Sequence, residues 1–281
     1  MLADAIGREG AEAALPALRQ LGTLVGSAEA REHARLANEH SPVLRTHDRY
    51  GHRVDEVEFH PSWHWLMRTS VGWGLHGTPW VGEPGQGAHV ARAAGFYLMG
   101  QLESGHCCPI SMTYAAVPAL RRDPGLANVY ESGLVSTTYA FGLAEPATKP
   151  GLLAGMSMTE KQGGSDVRAA RPRPPRGPTA RTGWSGTSGS PRPDERSLPD
   201  ARAGAGGLTC FVLPRVLPDG TRNGIRLERL KDKLGNRSNA SAEIEYTGAT
   251  GWRLGDEGRG VATIIEMVSM TRLDCVIGSP R

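Results

Sequence analysis

Apolar positions recur three and four residues apart over most of residues 1–145, and every second residue over a shorter stretch after them. Ala, Leu and Arg dominate Ala11–Leu21 and Ala28–Leu36. Ala91–Glu103 sets Ala94, Phe96, Leu98 and Leu102 among small residues, the pattern of a packed helix. Pro109 opens Ile110–Leu120, and proline is well tolerated in a helix's first turn. Around residue 150 the period falls to two. Leu208, Cys210 and Val212 alternate with other residues, as do Ile225 and Leu227, then Ala242, Ile244 and Tyr246. Alternation predicts strands with one buried face. Asp219-Gly220 and Asn223-Gly224 mark the turns between them. From Gly260 the helical period returns, with Val261, Ile264, Ile265 and Val268 on one face and Gly255-Asp-Glu-Gly258 as the lead-in.

These patterns predict an α+β chain. An all-helical N-terminal domain covers 1–150 and a middle β domain covers 151–252. Residues 253–281 begin a further helical unit. Its helix has a wide apolar face that needs partners, so the chain reads as cut short.

Bulk properties narrow the classes of function. The 39% hydrophobic content suffices for a core, and a net charge of +3 does not by itself point to nucleic acid. Four cysteines (Cys107, Cys108, Cys210, Cys275) are too few for a disulfide scaffold, which suits a reducing cytoplasm. No basic N-terminal leader with an apolar run is evident, and no stretch is long enough to span a bilayer.

The richest candidate chemistry is the run Met158-Thr-Glu-Lys-Gln-Gly-Gly-Ser-Asp166. Gly163 and Gly164 let backbone N–H groups approach a ligand closely, and Thr159 and Ser165 add hydroxyls. The preceding Gly151-Leu-Leu-Ala-Gly-Met-Ser157 is apolar and able to hold such a turn rigidly.

That run resembles the acyl-CoA dehydrogenase family, and within it the AidB-like branch of alkylation-response flavoproteins. Further blocks carry the likeness: Phe59-His-Pro-Ser-Trp-His64, Cys108-Pro-Ile-Ser-Met-Thr113, Arg229–Ser241, Gly258-Arg-Gly260 and Met270-Thr-Arg-Leu-Asp274. The resemblance implies an N-terminal helical domain, a β-barrel-like middle domain and a C-terminal four-helix domain. It implies FAD as cofactor and an acyl-CoA thioester as substrate. The flavin contacts carry over to Met156, Ser157, Met158, Thr159, Gly163, Gly164 and Ser165, with Thr159 at the isoalloxazine ring and Ser165 near the pyrophosphate. Ser157 departs from the family's usual glycine or other small residue. The family's catalytic glutamate lies beyond Arg281, so no catalytic residue is assigned, and this fragment alone is expected to be inactive and to retain FAD poorly. The branch also implies possible DNA association, and the family forms homotetramers through helices this chain lacks.

Residues Ala169–Gly207 break the pattern, with seven Pro, seven Arg and seven Gly. Such composition reads as a disordered linker. A codon test offers a second reading. Synonymous codons for Gly177–Ser190, taken in a shifted frame, can encode Pro-Asp-Gly-Thr-Tyr-Arg-Leu-Val-Gly-His-Lys-Trp-Phe, a turn followed by a strand. The stretch is therefore expected to be either disordered or frame-disrupted.

Other features have plainer readings. His60 and His64 have zinc-compatible spacing but no evident third ligand, and Pro61 suggests a helix start, so packing or capping is expected and no metal is assigned. Cys107-Cys108 reads as buried small residues, since vicinal cysteines seldom close a disulfide. Lys231, Lys233 and Arg237 form a basic loop that either touches a phosphate of CoA or DNA, or is solvated with Arg237 tying two strands. Arg272 and Asp274 are expected to be ion-pairing residues for helix packing.

Overall fold

The computed structural model describes residues 2–83, 85–157 and 208–279, together with the backbone of 183–186. Eight α-helices are described: α1 (Leu2–Arg8), α2 (Leu15–Val25), α3 (Ala28–Glu39), α4 (Pro61–Gly72), α5 (Ala88–Leu102), α6 (Cys107–Leu120), α7 (Pro124–Leu134) and α8 (Gly260–Gly278). Their starts follow local chemistry. Ser27 Oγ accepts from the Ala30 N–H at 3.1 Å, and Asp123 Oδ1 accepts from Leu126 N–H at 3.0 Å ahead of Pro124. His60 Nδ1 accepts from Ser62 N–H at 3.1 Å, with Pro61 in the first turn. His60 thus caps a helix, as its spacing to Pro61 suggests.

Helix α6 begins at Cys107, two residues earlier than the proline signal indicates. It is apolar almost all round, as a helix buried on every side must be. Cys107 and Ile110 face a core formed with Leu21, Trp63, Leu66, Met67, Phe96 and Met99. Ala115, Ala116, Ala119 and Leu120 face a second core shared with Leu134, Leu152, Val212, Leu254, Ile264 and Met267. Pro118 lies inside α6 and cannot donate to the Tyr114 carbonyl. That carbonyl accepts instead from the Trp80 indole N–H at 2.9 Å.

The strands are β1 (Val43–His47), β2 (Arg53–Glu58), β3 (Ala154–Ser157), β4 (Gly183–Gly186), β5 (Cys210–Leu213), β6 (Ile225–Leu230), β7 (Ala242–Tyr246) and β8 (Trp252–Leu254). One sheet runs in the order β3-β4-β5-β8, with β4 and β5 parallel and the other pairs antiparallel. β6 and β7 form an antiparallel hairpin, as do β1 and β2. The fold is therefore mixed helix and sheet. Among the described residues the pairings do not close into a barrel.

The hairpin β1–β2 corrects the all-helical reading of 1–150. Neither strand has a fully apolar face, so alternation is faint. The hairpin is held from outside: Arg53 Nη2 donates to Leu227 O at 3.2 Å and to Glu228 Oε1 at 2.8 Å, and Arg215 Nη2 donates to Asp55 O at 2.7 Å. Strand β5 also departs from simple alternation, because all four of its residues are buried between the helical core and the β6–β7 hairpin. β4 falls inside the Ala169–Gly207 stretch and pairs on both sides. For the rest of that stretch, the linker and frame-disruption expectations lie outside the described residues.

Helix α8 buries Gly260, Thr263, Ile264, Met267, Val268 and Asp274. The expected face is partly wrong: Ile265 is exposed, and Val261 is only half-buried. The helix start is pressed onto β5, where Gly260 N–H donates to Leu208 O at 2.6 Å. A Cβ on Gly260 would lie 2.6 Å from the Cys210 nitrogen, a backbone atom that cannot step aside. Gly260→Ala is therefore expected to lower stability by about 1–3 kcal/mol, the usual cost of overpacking. Urea denaturation of the variant checks this, and an unchanged midpoint would show that α8 does not rest on β5 in solution.

Candidate functional site

Strand β3 leaves the second core at Ala154 and runs outward, so that Gly155, Met156 and Ser157 are half-buried. Among the described residues it is an edge strand of its sheet. Its first N–H, that of Ala154, is satisfied by Thr113 Oγ1 of α6 at 2.9 Å, while the same hydroxyl donates to Pro109 O at 2.7 Å. Met156 packs against the margin of the second core, as Trp252 and Met270 do. Tyr246 of β7 lies within reach of Ser157, and its buried hydroxyl makes no well-formed hydrogen bond. Burial pushes that phenol above the ordinary tyrosine range, and Ser157 pulls against the shift.

Of the seven residues predicted to contact a flavin, Met156 and Ser157 are thus placed together at the end of β3. Met158, Thr159, Gly163, Gly164 and Ser165 lie outside the described residues. Half-buried Ser157 beside a buried hydroxyl with no well-formed hydrogen bond fits a polar group arriving at the strand's end. To that extent the residues present fit FAD.

The basic loop between β6 and β7 divides. Lys233 turns inward and donates to Asn236 O at 2.7 Å and Asn239 O at 2.5 Å, closing its own loop. Burial pulls its ammonium below the usual lysine range. It is not free to meet a phosphate. Lys231 and Arg237 are exposed, and Arg237 lies in the loop rather than across two strands. Asp274 does pair across helices, with Arg92 of α5, whereas Arg272 is exposed.

A buried polar cluster went unseen in the sequence. His106 Nδ1 meets Glu103 Oε2 at 3.0 Å, and its Nε2 meets Ser70 Oγ at 3.0 Å. The atom order is that of a serine–histidine–carboxylate relay. His106 and Ser70 are nevertheless 0% and 1% exposed, so no substrate reaches them. The cluster acts as a clamp. Glu103 Oε1 also accepts from Ser238 Oγ at 2.8 Å and from Asn38 Nδ2 at 3.2 Å, which fastens the β6–β7 loop and α3 to the turn between α5 and α6. Burial alone would push His106 down, but the Cys107 sulfur and the Glu103 carboxylate facing it raise it to about 10. Burial likewise opposes the charge on Glu103, but the hydrogen bonds from His106 and from the His106 and Gly105 N–H groups hold it at about 2. Only the adjacency of Glu103 and His106, three apart, could have signalled the pair. Cys107 is buried and Cys108 half-buried, as expected of small packing residues.

A family model, that of the adaptive response protein AidB N-terminal domain, matches residues 1–141. The chain belongs to the AidB family. Among curated relatives, the Escherichia coli (strain K12) protein named "Putative acyl-CoA dehydrogenase AidB" is 46% identical over 282 residues, 99% of this chain and 52% of its own length. Acyl-CoA dehydrogenase family member 11 of Caenorhabditis elegans is 28% identical over 272 residues, 90% of this chain and 42% of that protein. The chain therefore spans about half the length of the curated relatives it matches. Among solved structures, Caenorhabditis elegans ACDH-11 in complex with C11-CoA superposes with a TM-score of 0.74 at 23% identity, over 99% of this chain and 48% of that one. The apo form of Bd2924 gives a TM-score of 0.74 at 23% identity, over 99% and 57%. These two likenesses establish the shared fold. Among the described residues, no helix is long and apolar enough to cross a membrane.

Proposed function

We propose that this AidB-family chain forms part of a FAD-dependent oxidoreductase acting on the CH–CH bond of acyl-CoA thioesters. The observation that carries the reading is strand β3, which delivers half-buried Met156 and Ser157 directly into the Met158–Asp166 run. Relatives named as acyl-CoA dehydrogenases, and a fold neighbour solved with C11-CoA, support it. In this reading 1–150 is a mainly helical domain, 151–252 a middle β domain of barrel-like type, and 253–281 the first helix of a third unit.

The chemistry FAD supplies when bound is acceptance of a hydride from the acyl β-carbon. The chain's own part is binding and orientation. By the resemblance, Met156 and Ser157 would border the ring, and Gly163, Gly164, Thr159 and Ser165 would supply backbone and hydroxyl donors to the cofactor. Donors aimed at the thioester oxygen lower the α-proton's pKa, so that a carboxylate can remove it. No residue within 1–281 is assigned that carboxylate.

The complete gene product, purified from its own host, is expected to be yellow and to lose its visible flavin absorbance when an acyl-CoA is added without oxygen. A colourless protein that takes up no FAD would overturn the reading. The AidB-like resemblance carries one alternative, association with DNA. Retention on duplex DNA that falls steeply with salt, from a protein whose flavin ignores acyl-CoA, would favour it.

A further inference from the structure

We propose that Thr113 is a positioning residue for the flavin site, its hydroxyl setting the height at which β3 presents Met156 and Ser157. The inference rests on the flavin reading. Thr113 is fully buried in α6, and its side chain is the bridge between that helix and the edge of the sheet. One oxygen does two jobs. It donates to Pro109 O at 2.7 Å, which fixes its rotamer, and so presents a lone pair to Ala154 N–H at 2.9 Å. An edge strand has unpaired N–H groups that must be satisfied by something other than a neighbouring strand. Here a hydroxyl on a buried helix does so, and β3 is thereby registered against α6 as well as against β4.

This registration governs the outer half of the strand. β3 is four residues long, and Ala154 is its only fully buried member. Beyond that anchor the strand is extended and stiff, at about 3.3 Å per residue. A displacement at Ala154 therefore reaches Met156 and Ser157, the first of the candidate contacts. Orientation errors of this size are what binding sites tolerate least.

The test compares Thr113→Val with Thr113→Ser in the complete gene product. Valine keeps the volume and branching but removes both hydrogen bonds, while serine keeps the hydroxyl and loses a methyl group. The readouts are the dissociation constant for FAD and the position and shape of the bound flavin's visible bands. Thr113→Val is expected to weaken FAD by about tenfold, equivalent to one neutral hydrogen bond, and to shift the bands. Thr113→Ser is expected to restore both, even if it melts earlier. A purely structural role would lower the melting temperature of either variant and leave the bound spectrum alone. If Thr113→Val binds FAD as the wild type does, the proposal is wrong. If the valine variant does not fold, the serine variant decides: weakened FAD binding despite the retained hydroxyl also overturns it. Should the wild type itself bind no FAD, the flavin reading fails first, and this inference falls with it.

Discussion

Asp274→Ala is expected to cost about 3–5 kcal/mol of folding stability, because it strands a buried guanidinium. The Arg92 and Asp274 side chains are 3% and 2% exposed. They meet through two parallel bonds, Nη1 to Oδ1 and Nη2 to Oδ2, the latter at 2.8 Å. The third guanidinium nitrogen, Nε, donates to Leu75 O at 2.7 Å. The guanidinium also lies over the Tyr114 ring at 3.9 Å and the Phe96 ring at 4.5 Å. All three guanidinium nitrogens are thus engaged, and the charge is too deeply buried for water to take the carboxylate's place. The pair joins α5 to α8, so the loss should also raise hydrogen exchange along α8. Replacing both partners, as Arg92→Met with Asp274→Leu, should cost less than Asp274→Ala alone, since no charge is left buried. Urea unfolding of the two single variants and the double variant measures the coupling. If the double variant is as unstable as the sum of the singles, the two residues do not interact in solution.

Glu103→Ala is the second large effect, again about 3–5 kcal/mol, because it orphans a buried imidazolium and several donors at once. Gly105 N–H and His106 N–H both reach the carboxylate at 2.8 Å, in addition to the His106 ring, Ser238 and Asn38. The linkage runs in both directions of pH. His106 rises from an ordinary 6.5 to about 10, so its contribution is complete below 6.5 and is lost as pH climbs through 10. Glu103 falls from 4.5 to about 2, so its contribution is complete above 4.5 and is lost as pH drops through 2. Melting temperature measured from pH 2 to pH 10 should show both limbs. His106→Gln should flatten the alkaline limb while leaving much of the acid limb. An alkaline limb of equal depth in that variant would mean that another group titrates.

The motif that suggested the candidate site is readable in the sequence because it is local. Met156 to Ser165 is one short segment whose glycines and hydroxyls stand next to each other, and the relatives bear out the family it suggested. The clamp at Glu103 was not legible in the same way. Its partners Asn38, Ser70 and Ser238 are ordinary polar residues from three distant segments, and nothing in their neighbours marks them. Lys233 misled in the opposite sense: among basic neighbours it reads as a phosphate donor, yet three acceptors of its own loop surround it.

The linear order of residues by itself determined most helices, strands β6 and β7, the turns that lead into β6, and the family. Each of these comes from spacing within a dozen residues, where periodicity and capping act. Tertiary structure alone decided which face of α8 goes inward, why 43–58 turns into a hairpin, and what anchors the edge of β3. Asp274 can be buried and Ile265 exposed only because Arg92 arrives from 182 residues away to neutralise the carboxylate. Hydrophobic period measures a segment against water, but a buried charge is allowed or forbidden by its partner, and that partner exists only once the chain has folded.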